Sequence, residues 1–327
     1  MKILVAGGAG YIGSALVPVL LDHGYEITVI DLLWFGNHLP KETNVIQKDL
    51  FTCTEEDFAG FDQVIYLAGL SNDPMAEFDP VRNFIYNASL PAYLAYIAKR
   101  AGVKRYIYAS TCSVYGYTTD QLFDESAKIS CNYPYGVSKL QGEKGVMHLQ
   151  DDTFSAICFR KGTVSGYSPR MRFDLIINTM TVNAMTKGVI TVSNPSIWRP
   201  IIAMHDVISA YLRAIQVNYS ISGVFNIAYD NYTVGEAAYI VKDIIEKAHL
   251  NKHVRLDVKD IQDFRNYKVT VEKARTTLGF HPRYSVADIV TELLNKWDIL
   301  SPLIDNDGSY NIRVCKKLFT NKEIKIA

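Results

Sequence analysis

The chain reads as an α/β protein built on a doubly wound parallel sheet, with a smaller, discontinuous carboxy-terminal domain. Three observations predict this. Short β-branched runs alternate with helical stretches through the first half, which is the pattern of a parallel sheet covered by helices on both faces. The first run, Lys2-Ile3-Leu4-Val5-Ala6, empties into the glycine-rich turn Gly7-Gly8-Ala9-Gly10-Tyr11-Ile12-Gly13. The second run, Glu26-Ile27-Thr28-Val29-Ile30, ends on Asp31.

Each element follows in order. The turn opens a helix over 14–21. Gly7 and Gly8 permit the reversal, Gly10 lets the backbone approach a ligand, and Gly13 brings the helix close to the strand. Unpaired amides at the helix start, with their partial positive charge, suit a pyrophosphate held against Gly10, Tyr11 and Ile12. An acid about 20 residues past the turn is the ribose-binding position of the dinucleotide fingerprint, so the first half reads as a Rossmann domain. Asp31 accepts from both ribose hydroxyls and repels a 2′-phosphate, and Leu32-Leu33-Trp34 offer no cation to offset that repulsion. NAD is favoured over NADP. Further strands are predicted over 45–48, 63–67, 106–109 and 154–159, with helices over 81–101 and 134–149.

From Gly166 the alternation stops. Loops bearing Arg and Asn occupy 169–178 and 194–200. Residues 201–206 and 223–227 read as strands returning to the main body, with His205-Asp206 ending the first of them. Residues 234–248 and 286–298 carry amphipathic helical spacing. The expected division is 1–165, with 200–228 returning to it, for the dinucleotide domain, and 166–327 mostly for the second domain. The stretch from Ser301 onward is polar and irregular and receives no role.

Composition narrows the partners. Acidic and basic residues number 34 each, which gives no field for nucleic acid or an anionic membrane. Five cysteines are an odd number without paired metal spacing, as expected of reduced thiols rather than a disulfide framework. The apolar start is too short for a signal sequence, and no run is long enough to span a bilayer. A cytoplasmic protein without metal, nucleic-acid or membrane partner is expected.

Chemistry enters with Tyr135-Gly136-Val137-Ser138-Lys139. Among 21 tyrosines, Tyr135 alone has a lysine four residues on, on the same helix face, and Pro134 suits a first helical turn. Upstream, Ala109-Ser110-Thr111-Cys112-Ser113 closes a strand with clustered hydroxyls, at the sheet end where open α/β folds bind ligands. A free tyrosine, with pKa near 10, is a weak base at neutral pH. A lysine ammonium one turn away would favour phenolate and fit the phenol to take the proton of a secondary alcohol while hydride leaves the same carbon.

The glycine turn, acidic strand end, hydroxyl-rich strand end and Tyr135/Lys139 pair occur in the order found in the extended short-chain dehydrogenase/reductases. The chain most resembles their NAD-dependent sugar-nucleotide epimerase/dehydratase family, strongly over the first 165 residues and more loosely beyond. The resemblance implies roles residue by residue. Thr111 matches the Ser/Thr that hydrogen-bonds the reacting oxygen, with Ser113 as helper, and Lys139 matches a lysine that bonds the nicotinamide ribose. Asp49-Leu50 resemble the adenine-contacting pair, Ala68-Gly69-Leu70 the loop under the nicotinamide ribose, and Asn87 an asparagine before the catalytic strand. A sugar-nucleotide diphosphate suits planar guanidinium groups. Arg170 and Arg172 are candidates in a Ser-Pro-Arg-Met-Arg run like that of a bacterial subgroup, while Arg199, Arg265 and Asn178 match substrate-pocket positions.

Departures from the family narrow the reaction. The 4,6-dehydratases carry Asp-Glu directly after the threonine, where this chain has Cys112 and Ser113. Thr163 stands where many relatives have asparagine. The expected activity is 4-epimerisation of a nucleotide sugar through a transient 4-keto sugar. The alternatives are net 4-dehydrogenation or 4-ketoreduction, and, outside enzymes, a non-catalytic NAD-binding regulator. A homodimer through the helices 81–101 and 134–149 is also implied. From Asp31, NAD is expected to bind at least tenfold more tightly than NADP, about 1.4 kcal/mol. Titration with both cofactors checks this, and equal affinities would refute it.

Overall fold

The computed structural model describes residues 1–259 and 265–320. Seven parallel strands form the central sheet, in the order Gly223–Ile227, Ser155–Lys161, Arg105–Thr111, Gln63–Tyr66, Lys2–Ala6, Glu26–Asp31, Asn44–Gln47. Strand order reverses between Lys2–Ala6 and Gln63–Tyr66, so the carboxyl ends of these two strands open a crevice for a ligand. Period-2 alternation builds two cores. Ile3, Val5, Ile107, Ile157 and Phe159 face Leu16, Val17 and Tyr211, carried by the helices Tyr11–Asp22 and Met204–Gln216. Leu4, Ala6, Tyr106, Tyr108 and Cys158 face Leu90, Leu94 and Val146, carried by Leu90–Arg100 and Pro134–His148.

The strand forecast corresponds to observed strands through residue 161, and the helix forecast needs adjusting. The first helix begins at Tyr11, three residues earlier than expected, because Gly10 itself acts as its N-cap. The stretch 81–101 is one continuous rod interrupted by a π turn, Ile85–Ser89, between Pro80–Phe84 and Leu90–Arg100. Such a turn inserts an extra residue into the helical register; here it carries Asn87, which is fully buried.

The second half departs further from expectation. Gly223–Ile227 joins the main sheet, but Trp198–Ala203 pairs instead with Thr163–Ser165 and Asp230–Thr233 in a small separate sheet. His205 and Asp206 do not end a strand. They lie in the first turn of Met204–Gln216, where Asp206 accepts from the amides of Arg283 and Tyr284, both at 2.9 Å. Helix Ile176–Lys187 begins inside the stretch expected to be loop, and the region after Ser301 contains the helix Asn311–Phe319. Val234–Ala248 is helical as expected, while 286–298 is split into Val286–Asn295 and Trp297–Leu300. No helix among the described residues is long and apolar enough to cross a membrane.

One buried ion pair ties the Tyr135 helix to the sheet. Glu143 Oε1 meets Arg160 Nη2 at 2.6 Å and Oε2 meets Nε at 3.0 Å, while Ser110 Oγ donates to Oε2 at 2.7 Å. Both side chains are at most 5% exposed. Removing one partner leaves a buried charge uncompensated, so Glu143→Ala is expected to cost about 3–5 kcal/mol of stability. Chemical denaturation measures this, and a loss below 1 kcal/mol would show the pair to be dispensable.

Candidate active site

A single cleft of about 580 Å³ runs along the carboxyl ends of the central strands. Every site residue expected from the sequence lines it except Asn178. From the first half come Gly7, Gly10, Tyr11, Ile12 and Gly13, then Asp31, Asp49 and Leu50, then Ala68, Gly69, Leu70 and Asn87, and then Thr111, Ser113, Tyr135 and Lys139. Arg170, Arg172, Arg199 and Arg265 line it from the second half.

The glycine turn is built for close approach. A Cβ on Gly13 would lie 2.2 Å from the Gly8 carbonyl oxygen, so only glycine lets the helix start so near the strand. At Gly10 the nearest such contact is 3.5 Å, leaving a cradle over the first helical amides. Asp31 accepts from Ala9 N at 3.0 Å and Leu33 N at 2.8 Å. Burial pushes its carboxyl above the ordinary value, against those two amides and the charge of Arg170. Asp49 caps the turn Leu50–Thr52 by accepting from Phe51 N at 3.0 Å.

Tyr11 joins the two halves. Its hydroxyl donates to Gly166 O at 2.6 Å, and its own carbonyl accepts from Ser168 Oγ at 2.7 Å. Asn178, which does not line the cleft, has both ends of its amide engaged: it donates to Tyr11 Oη at 3.2 Å and Arg172 O at 2.8 Å, and accepts from Gly166 N at 3.0 Å. The substrate contact expected of Asn178 is therefore replaced by a framing role at the glycine turn.

Strand Arg105–Thr111 and helix Pro134–His148 bring the hydroxyl cluster to the Tyr/Lys pair. Thr111 Oγ1 donates to Ser113 Oγ at 3.2 Å, and its hydroxyl favours the ionised form of the Tyr135 phenol. Ser113 Oγ lies 3.2 Å from Tyr267 Oη. Cys112, between these hydroxyls, is buried and turned into a cluster with Val114 and Tyr115. Asn83 and Asn87 both bond Ser138 Oγ, at 3.0 and 3.4 Å, fixing the first turns of the tyrosine helix.

The electrostatics differ from the expectation that Lys139 draws the phenol down. Burial pushes Tyr135 above its ordinary value and Asp73 adds to that, while Arg172 and the Thr111 hydrogen bond oppose. Burial also holds Lys139 well below the usual lysine value, and the nearby charge of Lys161 lowers it further. Its Nζ lies 4.6 Å from the centre of the Tyr108 ring and meets no acceptor among the described residues. In the protein's own field the pair is thus a neutral phenol and a disfavoured ammonium, because both groups are enclosed.

The four arginines do not act alike. Arg172 forms a fork with Asp174, at 3.0 and 2.7 Å, and also donates to Ser71 Oγ at 2.7 Å. Arg265 pairs with Asp73 and lies over the Tyr133 ring, 5.6 Å away. Arg199 donates to the carbonyls of Trp198 and Arg265. Arg170 packs over the Phe35 ring, 3.8 Å from its centre, and donates to Asn311 Oδ1 at 2.6 Å.

Sequence reading missed Asp73, Lys161, Tyr267 and Asn311, all of which line the cleft. Asp73 lies in Ser71-Asn72-Asp73-Pro74, a composition that signals a turn, and Asn72 before it takes the left-handed φ of +87°. A dinucleotide fits this lining. Besides the Gly10 cradle and Lys139, three buried polar atoms on the cleft wall, Asp73 Oδ1, Asn87 Oδ1 and Arg170 Nε, have no hydrogen-bond partner, and a buried orphan is costly until a ligand satisfies it.

The model of the NAD dependent epimerase/dehydratase family matches residues 3–228. The UDP-glucose 4-epimerase of Bacillus subtilis (strain 168) is 30% identical over 201 residues, 57% of this chain and 59% of that one. UDP-glucuronic acid decarboxylase 6 of Arabidopsis thaliana is 26% identical over 334 residues, 97% of this chain and 91% of that one. The chain spans only 44%, 59% and 53% of the lengths of three UDP-glucose 4-epimerases that it matches at 30–31% identity. The solved structure of MoeE5 in complex with UDP-glucose and NAD is similar with a TM-score of 0.80 at 25% identity, over 92% of this chain and 100% of that one.

Lys161 Nζ donates to Ser110 O at 2.9 Å, and burial brings its pKa down to about 7 from 10.5. Below about pH 7 the folded protein bears the full cost of the buried ammonium. Between there and 10.5 the unfolded chain binds the extra proton, so stability rises with pH. Lys161→Met is expected to stabilise the protein more at pH 6 than at pH 10 in denaturant melts. A difference that does not vary with pH would contradict this.

Proposed function

Because the chain belongs to the NAD dependent epimerase/dehydratase family, we propose that it is a nucleotide-sugar 4-epimerase acting through a transient 4-keto sugar. One observation carries this reading: Thr111, Tyr135 and Lys139 line one cleft together with the glycine turn and with Arg199 and Arg265. Tyr135 Oη takes the proton of the C4 hydroxyl, and Thr111 Oγ1 steadies the same oxygen by a hydrogen bond. NAD would be held by the glycine turn, Asp31 and Lys139, and when bound would supply reversible hydride acceptance. Arg199 and Arg265 would grip the diphosphate, so that the keto sugar can turn about that anchor and present its other face without leaving the cleft. Tyr135 Oη then gives the proton back.

Dehydration is disfavoured by the residues after Thr111. Cys112 is buried away from the cleft and Ser113 is no acid, while Asp73, the carboxylate nearest the phenol, is engaged by Arg265. The Tyr135 phenol, raised by burial, needs the ring charge of the bound cofactor before it ionises near neutrality. Val81, Phe84, Tyr93 and Tyr96 are exposed along the rod 80–100, an apolar stripe that supports a homodimer across it.

Tyr135→Phe is expected to reduce turnover at least a hundredfold with NAD affinity within a factor of two of the parent. Retained turnover would remove Tyr135 from the mechanism. Offered UDP-, GDP- and dTDP-hexoses in turn, an epimerase converts one to its C4 epimer without lasting absorbance in the NADH band. Accumulating NADH would instead indicate a 4-dehydrogenase, and no reaction with any sugar a binding protein. Solution mass tests the dimer, with a monomer at all concentrations overturning it.

A further inference from the structure

We propose that Arg170, positioned by Asn311 of the carboxy-terminal helix, binds the phosphate-bearing adenosine half of the dinucleotide rather than the sugar nucleotide. The inference rests on the reading of the cleft as a dinucleotide site. It departs from the expectation that all four arginines serve the substrate.

Arg170 is 2% exposed. Its guanidinium lies flat against Phe35, 3.8 Å from the ring centre, and Nη2 donates to Asn311 Oδ1 at 2.6 Å. Asn311 Nδ2 in turn donates to Ser71 Oγ at 3.3 Å. The side chain is thereby fixed between a ring and an amide, yet among the described residues no carboxylate pairs with it and Nε has no hydrogen-bond partner. Burial pulls its pKa down to about 9, and the charge of Arg172 works in the same direction. A buried cation left in this state requires an anion to be stable. The neighbours say which anion. Arg170 packs over Phe35, four residues past Asp31, its charge acts on Asp31 as well as on Asp174, and it lines the cleft together with Asp31, Gly10 and Tyr11. Arg170 thus shares the cleft wall with the ribose-binding acid and the phosphate-binding turn, with a planar fork suited to phosphate oxygens.

The carboxy-terminal helix exists in this place because its inner face is buried. Cys315 is fully enclosed with Leu70 and Met75, and Ile312 and Phe319 pack against Trp34, Phe35 and Tyr86. Phe319 meets the Trp34 ring edge-on at 5.2 Å, under the Arg82 guanidinium at 4.5 Å. The helix lies beyond the 3–228 matched by the family model, so this part of the cofactor wall comes from outside the matched segment.

The test is calorimetric titration of the full chain with NAD, ADP, adenosine and UDP. Arg170→Met is expected to weaken NAD and ADP at least tenfold, adenosine less than twofold, and UDP less than twofold. Asn311→Ala should weaken ADP about threefold or more, and should add nothing in the Arg170→Met background, a coupling that general loosening of the fold would not produce. ADP affinity unchanged in Arg170→Met, or an equal loss for adenosine, overturns the proposal; so does a loss confined to UDP. If Arg170→Met does not fold, Asn311→Ala decides alone, and unchanged ADP affinity then overturns it. A parent chain that binds none of NAD, ADP and adenosine would sink the dinucleotide reading itself. A parent that binds NAD but turns over no sugar would sink only the epimerase reading.

Discussion

The contact between Glu143 and Arg160 sets the geometry on which the rest depends. Tyr135 and Lys139 ride on a helix, Thr111 ends one strand and Lys161 the next, and local structure alone would let these three elements slide past one another. A carboxylate accepting two guanidinium bonds and the Ser110 hydroxyl fixes the helix against both strands at once. Because the pair is enclosed, a small displacement would expose a charge to an apolar surround, a penalty far steeper than that of breaking a surface ion pair. Rigidity at the base of the cleft is thus obtained from electrostatics, and the hydroxyls and phenol above inherit it.

The same cleft carries charge on both walls. Arg265 crosses to Asp73 at the start of the short helix Asp73–Phe78, and Arg172 crosses to Ser71 just before that helix while forking onto Asp174. These bonds run between the first and second halves of the chain, so the arginines that would receive a diphosphate already have partners to exchange. Two lysines lie deeper, both disfavoured as ammonium ions by burial. A positively charged nicotinamide would enter beside them, where its reduced, neutral form is electrostatically easier to hold.

The first half was legible because its determinants are local. Alternating β-branched runs, a glycine turn and a tyrosine four residues before a lysine each act within a few neighbours of themselves. The second half was not, because its pairings are distant. Tyr117–Phe123 pairs with Asn266–Val269, and Val189–Ser193 with Arg255–Lys259, partners that no short window contains. Arg170 and Arg172 look equivalent two residues apart, and only the tertiary path of the loop sends one onto Phe35 and Asn311 and the other onto Asp174. The phenol's environment was misjudged for a related reason, since spacing reveals a lysine neighbour but not the burial that disfavours its charged form. The carboxy-terminal helix did leave a signal: Ile312, Cys315 and Phe319 fall at helical spacing within an otherwise polar stretch.

Tyr11 has a consequence for how such chains can be recombined. Its hydroxyl and carbonyl anchor Gly166 and Ser168, and Asn178 closes the ring around it. A chimaera spliced at residue 165 would separate the glycine turn from the loop that braces it, and would strand Tyr117–Phe123 without its partner. New substrate halves could be exchanged on this scaffold only as a set that brings a matching brace and a matching strand. Drift in the second half is therefore bounded by a tyrosine near the opposite end of the chain.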